Sequence, residues 1–421
     1  MNINTEKIRK DKHCRICGSI EVVDVFELKP TPSGDQFIAE SDLNQTVEKF
    51  PLILAICSSC GYLHLPYILN PTESYTNYVY ETKVTVGLKK HYLDYAKKVI
   101  SFGGIAPSSF VIDLGSNDGT MLRAFKERGM DVLGVEPNQN IANLANKNQL
   151  NTINNYFSAS VANKIIKQYG KASIVTANYM FANIDNIVDF TENAKKILSD
   201  EGLFIVQTGY HPEQMLINMF DYIYHEHFSY FTVGVLSYLF SQNGLEIIDA
   251  KKTKPKGGSI RIVAQKQKGS REILPSVDML INAENESNIY KKEMYRVFDD
   301  SLKELKFELT KLLKSIVVKG KSIIAFGASH STTTLIYHFE LGSYFNYIVD
   351  DNEAKHGHYS PGLHIPVFST NKIYEDKPDY VLMLAWQHKD VICQRHCKFI
   401  ESGGKFIIPL PTVCVIDQSS L

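Results

Sequence analysis

The stretch Phe110-Val-Ile-Asp-Leu-Gly-Ser-Asn-Asp-Gly119 decides the fold. Its first five residues predict a short buried strand, and the residues from Met121 to Arg128 predict a helix after the glycine turn. Backbone N–H groups at such a helix start contact polar ligands closely. A second apolar strand follows about twenty residues later and ends at Glu136, whose carboxylate is placed to accept both hydroxyls of a ribose. The stretch therefore predicts a nucleoside-binding α/β domain.

The glycine spacing separates two kinds of nucleoside site. Dinucleotide-binding folds require G-x-G-x-x-G, and Gly115-Ser-Asn lacks the second glycine. The form D-x-G-x-x-x-G is similar to the first motif of class I methyltransferases, so we expect S-adenosylmethionine as the cofactor. Another nucleotide, or a turn that holds no ligand, is the alternative. The residues expected to hold the cofactor are Asp113, Gly115, Asn117, Asp118, Gly119, Glu136 and Asn178.

Strand and helix patterns alternate on both sides of this stretch. An amphipathic helix is predicted over 87–100, and apolar strand patterns recur at 174–177 and 203–206 with helical stretches between them. This alternation predicts a parallel, doubly wound sheet. Over 284–316 apolar residues recur every three or four positions, which predicts one long inter-domain helix. A coiled coil is the alternative, but the repeat spans few heptads.

A second α/β unit follows the long helix. Its predicted strands lie at 322–326, 347–349, 380–384 and 406–408. A chain of 421 residues is too long for one hydrophobic core. The predicted domains are therefore a zinc-binding module at 1–75, a methyltransferase domain at 76–283 and a C-terminal α/β domain, also Rossmann-like, at 284–421.

Two cysteine pairs predict a metal site in the first domain. Cys14 and Cys17 form one C-x-x-C pair, Cys57 and Cys60 form the other, and a glycine follows each pair. Four thiolates in two such turns suit tetrahedral Zn²⁺ and leave no open position, so the metal is expected to be structural. Unrelated buried cysteines are the alternative.

Composition narrows the partners and the location. The net charge is −1 and there is no long run of Lys or Arg, which argues against nucleic acid as a partner. The first twelve residues are polar and charged, and no apolar stretch reaches about 18 residues, so neither a signal peptide nor a membrane span is expected. We expect a cytoplasmic monomer.

The chemistry-bearing side chains concentrate between Tyr222 and Phe231, which hold two histidines, a glutamate and several tyrosines. The order Tyr224-His-Glu-His227 is not the H-E-x-x-H of zinc proteases. A histidine beside a glutamate suits proton transfer, and tyrosines can donate to a developing oxyanion. A second metal site, or a core aromatic cluster with exposed histidines, is the alternative.

At this point the sequence resembles the nucleotide-sugar C-methyltransferases, three-domain enzymes that add branching methyl groups to keto-deoxysugars. The resemblance covers nearly the whole chain. It is carried by the two cysteine pairs, Tyr78-Val-Tyr80, the motif at 111–119, Tyr224-His-Glu-His227, Gly257-Gly-Ser-Ile-Arg261, Asp350-Asp-Asn352 and Ala385-Trp386. It implies methylation, at C-3′, of a nucleoside diphosphate 4-keto-deoxysugar through an enolate, with the C-terminal domain helping to hold this substrate.

The resemblance also implies residue roles. His227 matches the general base, Glu226 would orient or polarise it, and Tyr224 with Tyr80 or Tyr78 would stabilise the enolate, while His225 is the next candidate for the base. Asn183 stands where an active-site histidine is usual. The residues expected to bind the sugar nucleotide are Lys256, Gly258, Ser259, Arg261, His330, Asp350 and Trp386.

Departures from the family pattern leave the acceptor open. Besides Asn183, Lys256 replaces a common histidine, and the turn from Gly327 to Ser331 lacks the usual Lys-Gly. Asparagine cannot carry a proton near neutral pH. The sugar, its nucleotide and the methylated carbon are therefore not fixed. O- or N-methylation of a nucleotide sugar, RNA methylation and a non-catalytic scaffold are the alternative functions.

Overall fold

The structure is a computed structural model and describes residues 7–70 and 87–420. In these ranges the strands form four sheets, of two, four, seven and six strands. No helix within them is sufficiently long and apolar to cross a membrane.

The N-terminal module is built from five short strands. β1 and β5 pair with each other, while β2, β3 and β4 form an antiparallel sheet. The side chains of Leu52, Leu54 and Ile56 in β3 pack into the apolar core. The strands are β1 Ile8–Lys10, β2 Val22–Thr31, β3 Phe50–Cys57, β4 Leu63–His64 and β5 Tyr67–Leu69.

The middle domain has a seven-stranded sheet in the order β12-β13-β10-β9-β6-β7-β8. The strands are β6 Phe110–Leu114, β7 Asp131–Glu136, β8 Thr152–Asn154, β9 Ala172–Asn178, β10 Leu198–Gly209, β12 Leu245–Thr253 and β13 Ser259–Lys266. The helices are α1 Leu88–Gly103, α2 Thr120–Lys126, α3 Gln139–Lys147, α4 Ala159–Tyr169, α5 Ile187–Ile197, α6 His211–Leu216 and α7 Val233–Gln242. Apolar residues run through β6 and β9 because helices cover the sheet.

The expected parallel sheet is correct for five strands only. β8, β7, β6, β9 and β10 are parallel, whereas β13 is antiparallel to both β10 and β12. The turn between β12 and β13 contains Lys256, Gly257 and Gly258, all with positive φ. Such a turn reverses the chain tightly, so a hairpin replaces the helical crossover that a parallel strand would need.

The single long helix predicted over 284–316 is two helices, α8 Pro275–Glu286 and α9 Lys292–Val318. Between them Asn288 has a φ of 57°, and the Tyr290 hydroxyl reaches back to donate to Glu284 Oε2 at 3.0 Å. Glu284 is 1% exposed and also accepts from the Tyr210 hydroxyl and the backbone N–H of Val233. The predicted apolar repeat runs through α9. The helix is interrupted between Glu286 and Lys292, next to the tertiary contacts of Glu284.

The C-terminal domain has a six-stranded sheet in the order β16-β15-β14-β17-β18-β19. Its first five strands in this order are parallel and β19 is antiparallel. The four predicted strands are present to within two residues. The strands are β14 Ile323–Phe326, β15 Ile348–Asp350, β16 Val367–Ser369, β17 Tyr380–Met383, β18 Lys405–Ile408 and β19 Cys414–Ile416, and the helices are α10 His330–Phe339, α11 Lys372–Asp376, α12 Lys389–Arg395 and α13 Cys397–Glu401.

The three units share an apolar core, and one strand of the middle domain joins the sheet of the N-terminal module. One apolar cluster contains Leu54 of the module together with Phe298 of α9 and Phe339 of α10. A short strand of the middle domain, β11 Ser229–Tyr230, pairs with β4 of the module. The segment from Tyr222 to Phe231 therefore runs where the units meet. The exact domain bounds 1–75, 76–283 and 284–421 stay a prediction.

We expect Glu284→Ala to lower the free energy of unfolding by about 3 kcal/mol, because several buried donors lose a charged acceptor. Denaturant unfolding followed by tryptophan fluorescence and circular dichroism measures this loss. Glu286→Ala is the matched control, since Glu286 is exposed on the same helix, and its effect should stay within about 0.5 kcal/mol. Equal effects of the two variants would contradict the role given to Glu284.

Candidate active site and metal centre

A cavity of about 1250 Å³ lies between the middle and C-terminal domains. The carboxyl ends of parallel strands open into it from both sheets, with Glu136 at the end of β7, Asn178 at the end of β9 and Asp350 at the end of β15. Tyr224 and His227 line it as well. In α/β sheets ligands bind at this end of the strands, so the fold brings two binding edges and the histidine cluster to one space.

Glu136 is held rigidly at the edge of the first sheet. Its Oε2 accepts from the backbone N–H of Asn117 and its Oε1 from that of Asn138, both at 2.9 Å. Burial raises the pKa of the Glu136 carboxyl. The glycine turn packs closely against Met180, because a Cβ on Gly115 would lie 2.7 Å from Met180 Cγ. This arrangement fits a ribose, whose hydroxyls would meet the remaining lone pairs of the carboxylate.

Asn178 presents an unsatisfied oxygen. Its Oδ1 is buried and has no hydrogen-bond partner among the described residues, although Asn178 lines the cavity. The neighbouring Asp113 is 3% exposed and accepts from Thr176 Oγ1 at 2.6 Å, and burial raises its pKa to about 7. A buried acceptor of this kind can accept a hydrogen bond from a ligand. The ammonium group of S-adenosylmethionine is such a donor, so the residues present fit the cofactor.

The seven predicted cofactor residues divide into two groups. Gly115, Asn117, Glu136 and Asn178 line the cavity. The other three residues do not line the cavity but support the glycine turn. Asp113 lies near the end of β6, and Asp118 Oδ1 accepts from the backbone N–H of Thr120 at 3.0 Å. A Cβ on Gly119 would lie 2.5 Å from Leu150 Cδ1.

His227 and Tyr224 form a hydrogen-bonded pair in the cavity. Tyr224 Oη lies 2.7 Å from His227 Nε2, and His227 Nδ1 lies 3.2 Å from the carbonyl oxygen of Tyr222. Since a carbonyl only accepts, Nδ1 carries the proton and Nε2 accepts from the tyrosine. Burial, with help from the charge of Lys256, lowers the pKa of His227 to about 3. The imidazole is therefore neutral, and its Nε2 lone pair is directed at the Tyr224 hydroxyl within the cavity.

Glu226 and His225 are placed differently from the expectation. In the described chain Glu226 makes no hydrogen bond to His227; its Oε1 accepts from Ser33 Oγ at 2.9 Å, and its Oε2 is buried without a partner there. The Tyr222 carbonyl orients His227 instead. His225 points away from the cavity, with its Nε2 3.3 Å from the carbonyl oxygen of Pro51.

Lys256 and Asn183 both line the cavity, as predicted for site residues. The Lys256 ammonium lies 4.6 Å from the ring centroid of Tyr179. The φ angles of Tyr179 and Lys256 are 56° and 55°, a conformation that costs free energy in residues other than glycine and clusters at functional sites. Gln207 Nε2 donates to the Tyr179 hydroxyl at 2.7 Å. Tyr179 had no sequence signal beyond its place after Asn178.

The remaining predicted substrate residues are only partly at the cavity. His330 and Asp350 line it, whereas Gly258, Ser259, Arg261 and Trp386 do not. Ser259 Oγ donates to the Pro255 carbonyl at 2.8 Å, the Arg261 guanidinium lies 4.9 Å from the Tyr95 ring centroid, and Trp386 Nε1 donates to Asp221 Oδ2 at 2.9 Å. These side chains support the walls. Tyr78 and Tyr80 lie outside the described residues.

The four paired cysteines converge in the N-terminal module. Their sulfur atoms lie within 4.8 Å of one another, and Cys14–Cys60 and Cys17–Cys57 each have an Sγ–Sγ distance of 3.6 Å. Sulfurs around a tetrahedral zinc at 2.3 Å are about 3.8 Å apart. The cluster therefore fits one Zn²⁺ with four thiolates and no open position.

Comparison with known proteins assigns the family. The C-methyltransferase NovU from Streptomyces niveus is 30% identical to this chain over 414 residues, covering 98% of the chain and 99% of NovU. The chain belongs to the C-methyltransferase family. It is an S-adenosylmethionine-dependent enzyme with a zinc-binding module. The matching family models are "Putative zinc binding domain" at 14–75, "Methyltransferase domain" at 89–250 and "C-methyltransferase C-terminal domain" at 254–411.

Solved structures overlap with part of this C-methyltransferase. An S-adenosylmethionine-dependent methyltransferase from Clostridium acetobutylicum is 11% identical and covers 42% of this chain and 92% of its own, with a TM-score of 0.34. The magnesium protoporphyrin IX methyltransferase from Synechocystis is 13% identical and covers 43% and 84%, with a TM-score of 0.35.

We expect the purified C-methyltransferase to contain one zinc per chain, and Cys57→Ser to lose it, because three remaining thiolates hold the metal weakly. Elemental analysis and a thermal unfolding scan measure both effects. Cys414→Ser is the matched control, since Cys414 is an exposed cysteine of the other end of the chain. Full zinc content in Cys57→Ser would contradict the four-thiolate site.

Proposed function

We propose that this C-methyltransferase methylates a ring carbon, C-3′, of a nucleoside diphosphate 4-keto-deoxysugar, and so makes a branched sugar for a glycan or natural product. The observation that carries the proposal is the neutral His227 Nε2, which lies with its tyrosine partner in the same cavity as the cofactor-facing Glu136 and Asn178. A base of this kind suits the removal of a proton from carbon next to a ketone.

The reaction begins when His227 takes the α-proton. The C–H electron pair becomes the C=C bond of an enolate, and the ketone oxygen gains the negative charge. In the structure Tyr224 donates a hydrogen bond to His227 Nε2. If the Tyr224 hydroxyl instead donated to the ketone oxygen, Nε2 would become available to accept the proton, and the enolate oxygen would be stabilised. S-adenosylmethionine, when bound, supplies an electrophilic methyl group. The α-carbon would then form the new C–C bond to this methyl group as the bond from the methyl to sulfur breaks, which would re-form the ketone and leave S-adenosylhomocysteine.

Lys256 supports this step through its charge. The side chain lines the cavity and its ammonium is held against the Tyr179 ring. A fixed cation in a site that excludes water attracts the developing oxyanion. The same charge opposes protonation of His227, so it keeps the imidazole neutral before the reaction and also makes it a weaker base.

We expect His227→Asn to lower exchange of the substrate's α-proton by at least about 100-fold, because the variant lacks the base. The measurement is deuterium incorporation into a 4-keto-6-deoxysugar nucleotide in heavy water, with S-adenosylhomocysteine present. His225→Asn is the matched control and should retain exchange, since His225 faces away from the cavity. Absence of α-deuterium from the substrate in the wild type, together with methyl transfer in a parallel reaction that contains S-adenosylmethionine, would instead indicate O- or N-methylation.

The pH dependence of exchange tests the state of the base. An ordinary imidazole titrates between about pH 5 and 8, whereas the pKa of His227 is about 3. Above its pKa the base is neutral, so wild-type exchange should be flat across that range. The groups that act on His227 are Lys256, the Tyr222 carbonyl and His330. Lys256→Met removes a positive charge, which raises the pKa of His227 and moves the acid limb to higher pH. A wild-type inflection near the ordinary value would contradict a neutral buried base.

A further inference from the structure

Arg15 lies in the turn of the first cysteine pair, between Cys14 and Cys17. Backbone hydrogen bonds close this turn: the N–H of Gly18 donates to the Cys14 carbonyl at 2.9 Å, and the N–H of Cys14 donates to the Ser19 carbonyl at 2.8 Å. The sulfur atoms of both cysteines belong to the four-thiolate cluster. The metal site and its turn therefore fix the point from which the Arg15 side chain starts.

The Arg15 side chain crosses from the module to the segment that carries His227. It is 8% exposed, and its Nη2 donates to the Phe228 carbonyl at 2.6 Å and to the Tyr62 hydroxyl at 3.2 Å. Its Cζ lies 5.8 Å from the centroid of the Tyr62 ring and 5.6 Å from that of the Phe228 ring. A hydrogen bond from a charged donor is roughly twice as strong as one between neutral groups, so the Phe228 carbonyl is held firmly.

Phe228 connects two loops that line the cavity. Its N–H donates to the Ala182 carbonyl at 2.8 Å, and Ala182 directly precedes Asn183. His227 directly precedes Phe228, and both His227 and Asn183 line the cavity. The peptide groups on the two sides of Phe228 are thus fixed by different partners, one by Ala182 and the other by Arg15.

The remaining nitrogens of Arg15 make only longer contacts. Nη1 lies 3.6 Å from Asp185 Oδ1 and Nε lies 3.8 Å from Asp11 Oδ2, and neither nitrogen makes a hydrogen bond within the described chain. Arg9 holds Asp185 instead, with Nη1 donating to Oδ2 at 2.9 Å. The two arginines therefore have separable contacts: Arg9 binds the carboxylate, and Arg15 binds the carbonyl next to His227.

We propose that Arg15 is a positioning residue for the base, and that its hydrogen bond to the Phe228 carbonyl holds the His227 imidazole in the orientation that meets Tyr224. This inference rests on the proposed function, in which His227 takes the α-proton. Without the Arg15 donor the buried Phe228 carbonyl would lack its partner and turn towards water. The adjoining imidazole would then lose its fixed position and gain contact with water.

The test follows the His227 imidazole by nitrogen NMR on the full, zinc-loaded chain with isotope-labelled histidine and bound S-adenosylhomocysteine. His227→Asn assigns the signal. The wild type should show a neutral ring protonated on Nδ1 from about pH 5 to 8. Arg15→Met should make the ring titrate in that range, because exposure to water removes the burial that lowers the pKa of His227. The other groups that face the ring, Lys256, His330 and the Tyr224 phenol, are the same in both proteins.

Arg9→Met is the matched control, since it removes the other arginine at Asp185 but leaves the Phe228 carbonyl bonded, and His227 should behave as in the wild type. Zinc content and affinity for S-adenosylhomocysteine should be unchanged in both variants, which reports an intact module and cofactor end. Arg15→Gln, which is too short to reach the carbonyl, replaces Arg15→Met if the latter loses zinc. A wild-type signal in the Arg15 variant, or an equal change in Arg9→Met, would overturn the proposal.

Proton exchange separates this role from the proposed function. In heavy water Arg15→Met should exchange the α-proton of a 4-keto-6-deoxysugar nucleotide at least about tenfold more slowly than the wild type, because a displaced base meets the proton poorly. Equal exchange rates in the two proteins would refute the role of Arg15. A changed His227 signal in Arg15→Met, together with no exchange in the wild type, would refute the enolate mechanism and leave the positioning by Arg15 intact.

Discussion

The arrangement of the site depends on how the backbone at Phe228 and Ser229 is fixed. Arg15, which lies between two zinc-ligand cysteines in sequence, donates to the Phe228 carbonyl at 2.6 Å, and the hydroxyls of Tyr62 and Ser229 are hydrogen-bonded. Ser229 and Tyr230 then pair with β4. Since His227 directly precedes this contact, the module that carries the four cysteines fixes the position of His227.

The other end of the same segment is fixed by the C-terminal domain. Thr334 Oγ1 of α10 donates to the Ile223 carbonyl at 3.0 Å, and Asp221 accepts from the Trp386 indole. The hydrogen-bonded pair of Tyr224 and His227 lies between these two attachments. Each end is held by a different unit, so the orientation of the base is a property of the assembled chain and not of the methyltransferase domain alone.

The difference between local contacts and contacts made by distant parts of the chain explains which features the sequence could predict. The strand, glycine turn and acid at 110–136 are local, and their hydrogen bonds follow from spacing. The choice between His225 and His227 is not local, because it depends on which side of the segment faces the module and which faces the cavity. The break before α9 lies beside the buried Glu284, which accepts from Tyr210 and Val233, both more than 50 residues away in sequence. Tyr179 owes its position to Gln207 on the next strand.

The cavity itself follows from two α/β sheets that open towards each other. Each sheet ends in a carboxylate whose two oxygens are already oriented by backbone N–H groups. Neither acid has to reorganise when a ligand arrives, so each hydrogen bond from a sugar hydroxyl contributes its full net free energy. In the proposed function, the reacting carbon would lie between these two fixed ends.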